Sequence, residues 1–287
     1  MLSIIISSYQ SKYFKSLEEN LAQTCGIAYE LIQIWNPGTK SIHEAYNEGI
    51  RQSQYPFLLF LHEDVRFEST EWGKDLIACF LADDSVGLVG LAGSKVKTKA
   101  PSGWYENGAE NNIECIRQYD KGKLVSDFSV NLTDQSPETV VSIDGVFIAM
   151  RKSAGLTFDE RLAGFHNYDL AISVAAKKDH WNIKVIKTIV LTHFSLGSFD
   201  RDWLCSAYTF YKLYHTYLPL KEDGAVYSKQ LELDNIRLFY HKCFIHREWD
   251  IARYFLRDVW KKYPFKPTAF ILLAKWILSK KPAPIRK

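Results

Sequence analysis

The feature that most constrains this chain is the segment YPFLLFLHEDVRF at residues 55–67. Its apolar run, residues 56–61, is too short for a convincing helix and stops abruptly at His62-Glu63-Asp64. An unbroken apolar run of that length reads as a strand buried on both faces, as in a parallel sheet covered by helices. Ligands of such sheets bind beyond the carboxyl ends of the strands, where this run delivers an imidazole and two carboxyls. Nitrogen and hard oxygen donors side by side suit Mg2+ or Mn2+ with a phosphate as co-ligand. Three such residues on their own are also what a solvated loop past a strand looks like, so the case rests on their neighbours.

Residues 3–8 read as a first buried strand, and Ser11 can cap a helix with Tyr13, Phe14, Leu17 and Leu21 at helical spacing. Residues 30–35 make a second strand. Asn36-Pro37-Gly38 turns the chain, and Ser41 with Glu44 fits the capping box that opens a second helix. The strand into His62 follows. A β-α-β-α-β order needs crossover connections, hence a parallel sheet with a crevice above its strand ends.

Further on, residues 71–81 predict a helix and 86–92 a glycine-spaced buried strand. Residues 94–138 are polar, with a hairpin expected around Asp120-Lys121-Gly122-Lys123 and a loop bearing Trp104 and Tyr105. So long a polar segment within a compact domain is usually functional or mobile. Residues 139–151 predict one strand, interrupted by Asp144-Gly145, where a bulge would turn the carboxylate toward something useful; a satisfied turn aspartate is the other reading. After a loop at 158–167, a helix is expected over 168–177 with Asp169 in its first turn. Closing strands are expected at 182–186 and 188–191, the latter leading to His193. From Phe199 the pattern changes to aromatic-rich helices at 203–213, 231–244 and 249–260, which places a domain boundary near 198.

Composition narrows the function classes. Lys261, Lys262, Lys266, Lys275, Lys280, Lys281, Arg286 and Lys287 supply eight positive charges with no acid among them, so a net charge of +3 leaves the body at about −5. An acidic body argues against nucleic acid as partner. The basic end, with FILLAKWIL inside it, is too short to cross a bilayer but suits peripheral contact with an anionic membrane through residues 261–287, or packing against the neighbouring helices. MLSIIISSYQ lacks the basic start and cleavage site of a signal peptide, which favours a cytoplasmic location, with the inner membrane face as a possible station. Cys25, Cys79, Cys115, Cys205 and Cys243 contain no CxxC pair and are expected to be reduced packing residues. The sequon at Asn131 is given no role.

Taken together, SIIISSYQ, KSIHEAYNEGI, LHEDV, GLVGLAG, VSIDGVFIAMRK, FDERLAGFHNYDLAISVAAKK and the closing LTH resemble, in order and spacing, the family 2-like glycosyltransferases of the GT-A fold. The resemblance covers residues 1–198. It implies an α/β, Rossmann-like and mostly parallel sheet flanked by helices, with residues 199–287 as a helical appendage. It also implies a nucleotide-sugar donor, with a UDP-sugar favoured because metal-dependent relatives with an acidic motif commonly use one, a glycan or lipid-linked acceptor, Mn2+ or Mg2+, and inversion by direct displacement. His62-Glu63-Asp64 stands in place of the DxD motif, which gives Asp64 the metal, while His62 and Glu63 are expected near the donor. His193 matches a further metal ligand. Tyr168-Asp169 replaces a Glu-Asp pair whose aspartate is the catalytic base, which gives that role to Asp169. Asp144 matches an acid near the donor sugar, and the same blocks carry Ser7, Tyr9 and Asn47 as donor contacts. Trp104 and Tyr105 could stack on an acceptor sugar or simply pack.

A sugar nucleotidyltransferase would present a glycine-rich phosphate loop after the first strand, where SSYQSKYF has no glycine; a dinucleotide-binding dehydrogenase fails the same comparison. A non-catalytic carbohydrate- or nucleotide-binding relative stays open, because His62 and Ala171 replace acids of the family pattern.

Overall fold

A computed structural model describes residues 1–127, 135–197 and 199–279. Its first half realises the expected crossovers. Strand β1 (Leu2–Ser8), helix α1 (Ser11–Thr24), strand β2 (Tyr29–Trp35), helix α2 (Ile42–Gln52) and strand β3 (Phe57–Leu61) place β1 between two parallel partners. Side chains alternate between the faces of the sheet. Ile4, Ile6, Leu59 and Leu61 pack into one core with Leu17 and Leu21 of α1, whereas Ile5, Leu58 and Phe60 pack into another with Ala45 and Tyr46 of α2. Both faces are therefore dry, which is why no polar residue interrupts β3; each such side chain contributes about 1.5–3 kcal/mol by leaving water.

Local signals set the boundaries of α2. The capping box is formed, with Ser41 Oγ accepting from Glu44 N at 3.3 Å and Glu44 Oε2 accepting from Ser41 N at 2.8 Å. Gly49 lets the helix settle onto β1, since a Cβ there would lie 2.2 Å from Ile5 Cγ2. Ser11, expected as a cap, is instead the first helical residue of α1, and Gln10 precedes it without a side-chain bond.

The chain continues through β4 (Val65–Phe67), α3 (Trp72–Ala82), β5 (Val86–Gly90), β6 (Ala92–Ser94), β7 (Val96–Lys97), β8 (Asn112–Glu114), β9 (Ile116–Asp120) and β10 (Lys123–Asp127). Lys121 and Gly122 both have positive φ, 48° and 78°, the turn a tight hairpin between β9 and β10 requires. Residues 139–151, expected as one strand, form three: β11 (Glu138–Val140), β12 (Ser142–Ile143) and β13 (Phe147–Arg151). The turn at Asp144-Gly145 is sharp enough that β12 and β13 join different sheets. Helix α4 (Tyr168–Lys178), β14 (Asn182–Val185) and β15 (Leu191–His193) complete the first part, the last strand lying later than expected and containing His193 instead of preceding it.

The central sheet runs β11-β14-β5-β13-β3-β1-β2. Five strands point one way, and β13 and β11 run against them. A smaller sheet, β10-β9-β15-β4, and the ribbon β12-β6-β8 stand beyond the strand ends.

Helices α5 (Arg201–Tyr214), α6 (Lys229–Ile245), α7 (Trp249–Lys262) and α8 (Pro267–Ser279) form a separate core around Trp203, Tyr211, Phe239, Tyr240, Phe255 and Leu272. Helix α5 serves both parts, because Phe210 and Tyr214 on its other side pack into the main core, and β16 (Leu220–Lys221) pairs back onto β7. In α8, Ala269 and Leu272 face inward while Phe270, Ile271, Ile277 and Leu278 are exposed. Among the described residues no helix is long and apolar enough to cross a membrane. The expected boundary at 198, the sequon at Asn131 and the last basic residues from Lys280 onward lie outside the described residues.

Candidate active site

Beyond the end of β3 the chain is held by a backbone bond from His62 N to Val146 O, 3.2 Å, and re-enters a sheet at β4. Strand β15 pairs antiparallel with β4 so that His193 stands opposite Val65, and Phe194 N donates to Asp64 O at 3.1 Å. Two segments some 130 residues apart thus deliver three potential ligands to one spot. His62 Nδ1 lies 3.4 Å from His193 Nε2 and 3.9 Å from Asp64 Oδ1, and His193 Nε2 lies 3.5 Å from Asp64 Oδ1. One point is about 2.1 Å from all three atoms of a triangle with these sides, the bond length of a small divalent cation to nitrogen or oxygen.

The surrounding hydrogen bonds show why a cation fits there. Tyr168 has one hydroxyl proton and donates it to Gly145 O, which can only accept, at 3.1 Å. The 2.7 Å contact between Tyr168 OH and His62 Nε2 must then use a proton on the imidazole, which leaves Nδ1 as a bare lone pair. At His193, Gln118 Nε2 donates to the carbonyls of Ser195 at 2.6 Å and Tyr119 at 3.0 Å, which fixes the amide so that Oε1 accepts from His193 Nδ1 at 3.0 Å. Its Nε2 is the bare lone pair. Two lone pairs and a carboxylate consequently face one another, with only the Ser195 hydroxyl, 3.5 Å from His193 Nε2, able to offer a proton among the described residues, an arrangement that favours entry of a cation. Burial, then the neighbouring His193, pushes the His62 imidazole down to about 4, so it is a neutral ligand near pH 7.

Two cavities flank this corner and share His62, Phe165 and Tyr168. The larger, about 700 Å3, is lined by Asp144, Asp169 and His193 together with Trp104 and Tyr105. The smaller, about 230 Å3, runs toward Ser7 and Tyr9 at the end of β1 and Asn36 at the end of β2, and contains Asp64. Gly145 makes their junction possible: a Cβ there would lie 2.3 Å from Tyr168 OH.

A family described as glycosyltransferase-like matches residues 3–217, three quarters of the chain. The chain belongs to this glycosyltransferase-like family. No curated protein matches its sequence. Among solved structures it is similar to GalNAc-T7 with UDP, GalNAc and Mn2+, at 11% identity and a TM-score of 0.50, over 89% of this chain and 58% of that one. A mannosyltransferase from Pyrobaculum calidifontis in complex with GDP-Man and Mn2+ aligns at 12% identity and a TM-score of 0.48 over 98% and 80% of the two chains. TarS 1–349 of S. aureus aligns at 12% and 0.48 over 85% and 71%. The chain therefore spans little more than half the length of GalNAc-T7, and at these identities the likeness concerns the fold, a GT-A arrangement in agreement with the expected one.

Within this glycosyltransferase fold, Asp169 opens α4, whose N-cap Asn167 has a φ of 60°. Burial, followed by the charge of Asp144, pushes the Asp169 carboxyl up to about 7 against the pull of the Leu170 amide. Asp144 closes its own turn by accepting from Val146 N at 2.8 Å and accepts from Trp104 Nε1 at 2.7 Å. Trp104 is thereby buried in the cavity wall instead of riding a loose loop, and Tyr105 stands edge-on to it.

Other expected donor contacts are occupied differently. The buried Glu63 carboxylate accepts from the amides of Tyr9 and Gln10 at 3.2–3.4 Å and so ties β1 to the β3 turn. Ser7 Oγ accepts from Asn36 Nδ2 at 3.3 Å, and Tyr9 is exposed at the rim of the smaller cavity. Asn47 is not brought to the site: its amide clamps the backbone of Phe158 from both sides, at 2.8 and 2.9 Å, and reaches Glu160. Gln118, Glu114, Asn112 and Asn36 line or support the site without having been singled out; they come from short irregular stretches whose spacing gives no signal.

Proposed function

We propose that this chain transfers a sugar from a nucleoside diphosphate sugar to a hydroxyl of a glycan or lipid-linked acceptor, with inversion at the anomeric carbon. The observation that carries the reading is that His62 and His193 line the same large cavity as Asp169, while Asp64, the third member of their triad, lies in the smaller cavity adjoining it. His62, Asp64 and His193 would hold the divalent cation, which when bound supplies the positive charge that offsets a departing diphosphate. Two imidazoles and one carboxylate suit Mn2+ better than Mg2+, which prefers oxygen ligands throughout. Among the described residues no Lys or Arg lines either cavity to supply that charge instead.

Asp169 is the base. Its carboxylate takes the proton of the acceptor hydroxyl as that oxygen bonds to the anomeric carbon; the carbon–oxygen bond to the diphosphate breaks, and its electron pair leaves with the phosphate. A single base on the face opposite the leaving group is what inversion requires, in contrast with the close carboxylate pair of a covalent route. A carboxyl held near 7 is matched to that task. The smaller cavity, with Ser7, Asn36 and the ring of Tyr9, would take the nucleoside, for which UDP is favoured.

Calorimetry with UDP and GDP, each with and without Mn2+, tests the reading. Mn2+-dependent binding is expected in the native chain and loss of about a hundredfold or more of it in Asp64→Ala; binding that ignores both the ion and the substitution would overturn it. Donor hydrolysis under the same conditions separates an enzyme from a binding relative.

A further inference from the structure

The larger cavity has an uneven chemistry. Glu114, Asp144 and Asp169 line it, and among the described residues no Lys or Arg does. Residues 128–134 and 198, which adjoin the lining residues Ser126 and Gly197 in sequence, contain no Lys or Arg either. Lys97 is fully buried, and its ammonium is spent on the carbonyls of Thr98 and Ala100 and on Ser102 Oγ, at 2.8–3.0 Å.

Two acceptors on this wall are free of protein partners. Asn112 and Glu114 begin and end β8, and a spacing of two puts them on one face of the strand. Asn112 Nδ2 donates to Tyr105 O at 2.7 Å, which fixes the amide and leaves its buried Oδ1 without a partner. Glu114 has no hydrogen-bond donor among the described residues, and burial, then Asp144, pushes its carboxyl up to about 7. A buried acceptor without a donor, as at Asn112 Oδ1, is costly, and the half-buried Glu114 carboxyl is open to donors that a ligand brings. Asp144, by contrast, already receives two N–H groups.

Resting on the glycosyl-transfer reading, we propose that Asn112 and Glu114 hold hydroxyl groups of the transferred sugar and that this cavity selects uncharged sugars over those bearing a carboxylate. A polyol presents donors to both acceptors and an apolar face to Trp104. A hexuronate brings a negative charge toward three carboxyls, whose counter-charge from Lys97 is buried and held by other acceptors, and like charges so juxtaposed are disfavoured.

The test uses the full chain loaded with Mn2+ and whichever nucleotide, UDP or GDP, it binds. Affinities are then measured for matched pairs that differ only in CH2OH against COO−: UDP-glucose and UDP-glucuronate, UDP-galactose and UDP-galacturonate, or GDP-mannose and GDP-mannuronate. The neutral member should bind about tenfold or more tightly than its uronate, and Glu114→Gln should narrow that ratio at least about threefold, with nucleotide binding by the variant serving as proof of folding. Equal or tighter binding of the uronates, or a ratio untouched in Glu114→Gln, overturns the proposal. Failure of both nucleotides to bind would strike the glycosyl-transfer reading instead.

Discussion

His62 and Asp64 leave a strand whose five residues are all buried and which is paired on both sides, whereas Trp104, Asn112 and Glu114 belong to a stretch whose strand is three residues long. The first region is positioned by the central sheet itself. In the second, Asn112 and Glu114 are held by β6, and the segment leading to Trp104 is braced from outside by α6: Glu232 accepts from the amides of Lys99 and Ala100, Asn235 Nδ2 donates to Thr98 Oγ1 at 2.9 Å, and Lys242 pairs with Glu106 at 2.7 Å. The cation corner is thus fixed by the part of the molecule that folds around its own core, and the Trp104 side of the sugar-facing wall is braced by a helix that arrives a hundred residues later. Groups that must meet within tenths of an ångström sit on the rigid region, and groups that recognise a ring sit where another helix could shift them.

The largest effect that can break this comparison belongs to the rigid side. Asp169→Asn keeps the size of the side chain and removes the base, so transfer should fall about 10^2- to 10^4-fold, while Mn2+ and nucleotide affinity, measured by calorimetry, stay near native. Turnover within a few-fold of native would remove Asp169 from the chemistry; loss of nucleotide binding would show that the two regions are not separable.

A smaller effect is expected from the outer side. Glu232→Ala deletes a buried acceptor of two amides and should lower stability by about 1–3 kcal/mol, read as a shift of the urea midpoint. Loosening of the wall should raise the KM for the sugar donor about tenfold, the order expected for loss of one good positioning contact, with the affinity for the nucleoside diphosphate alone unchanged. Equal weakening of both would mean that α6 supports the whole site and not its wall.

The same division decides what could be read from the sequence. The His62-Glu63-Asp64 cluster was legible because a dry strand must end where its polar residues begin, but His193 was joined to Asp64 only through the resemblance, and His62, expected among the donor contacts, lies against both. The break at Asp144 was visible, but not that β12 and β13 part to different sheets, since a turn residue does not say which edge the next strand joins. Gln118, Asn112 and Glu114 reach the site through pairings of β9 with β15 and β8 with β6, contacts between short strands that no period in the sequence encodes. The resemblance gave Asn47 to the donor, while its amide holds the Phe158 backbone; a polar residue on a buried helix face is claimed by whichever unpaired backbone passes it.

The smallest effect sharpens the comparison where the two regions touch. Asp169 has a carboxyl raised to about 7, so its proton-accepting form is lost as pH falls through that value and kcat should drop tenfold per unit below the inflection. Burial is the larger cause and Asp144 the second, and a bound divalent cation pulls the inflection downward. Asp144→Asn removes one negative neighbour, which favours the ionised Asp169, and should move the inflection to lower pH by less than about one unit. A kcat profile that stays in place would mean that the charge of Asp144 is neutralised by its two N–H donors before it reaches the base; a shift to higher pH would mean that losing the Trp104 bond closed the cavity and deepened the burial of Asp169.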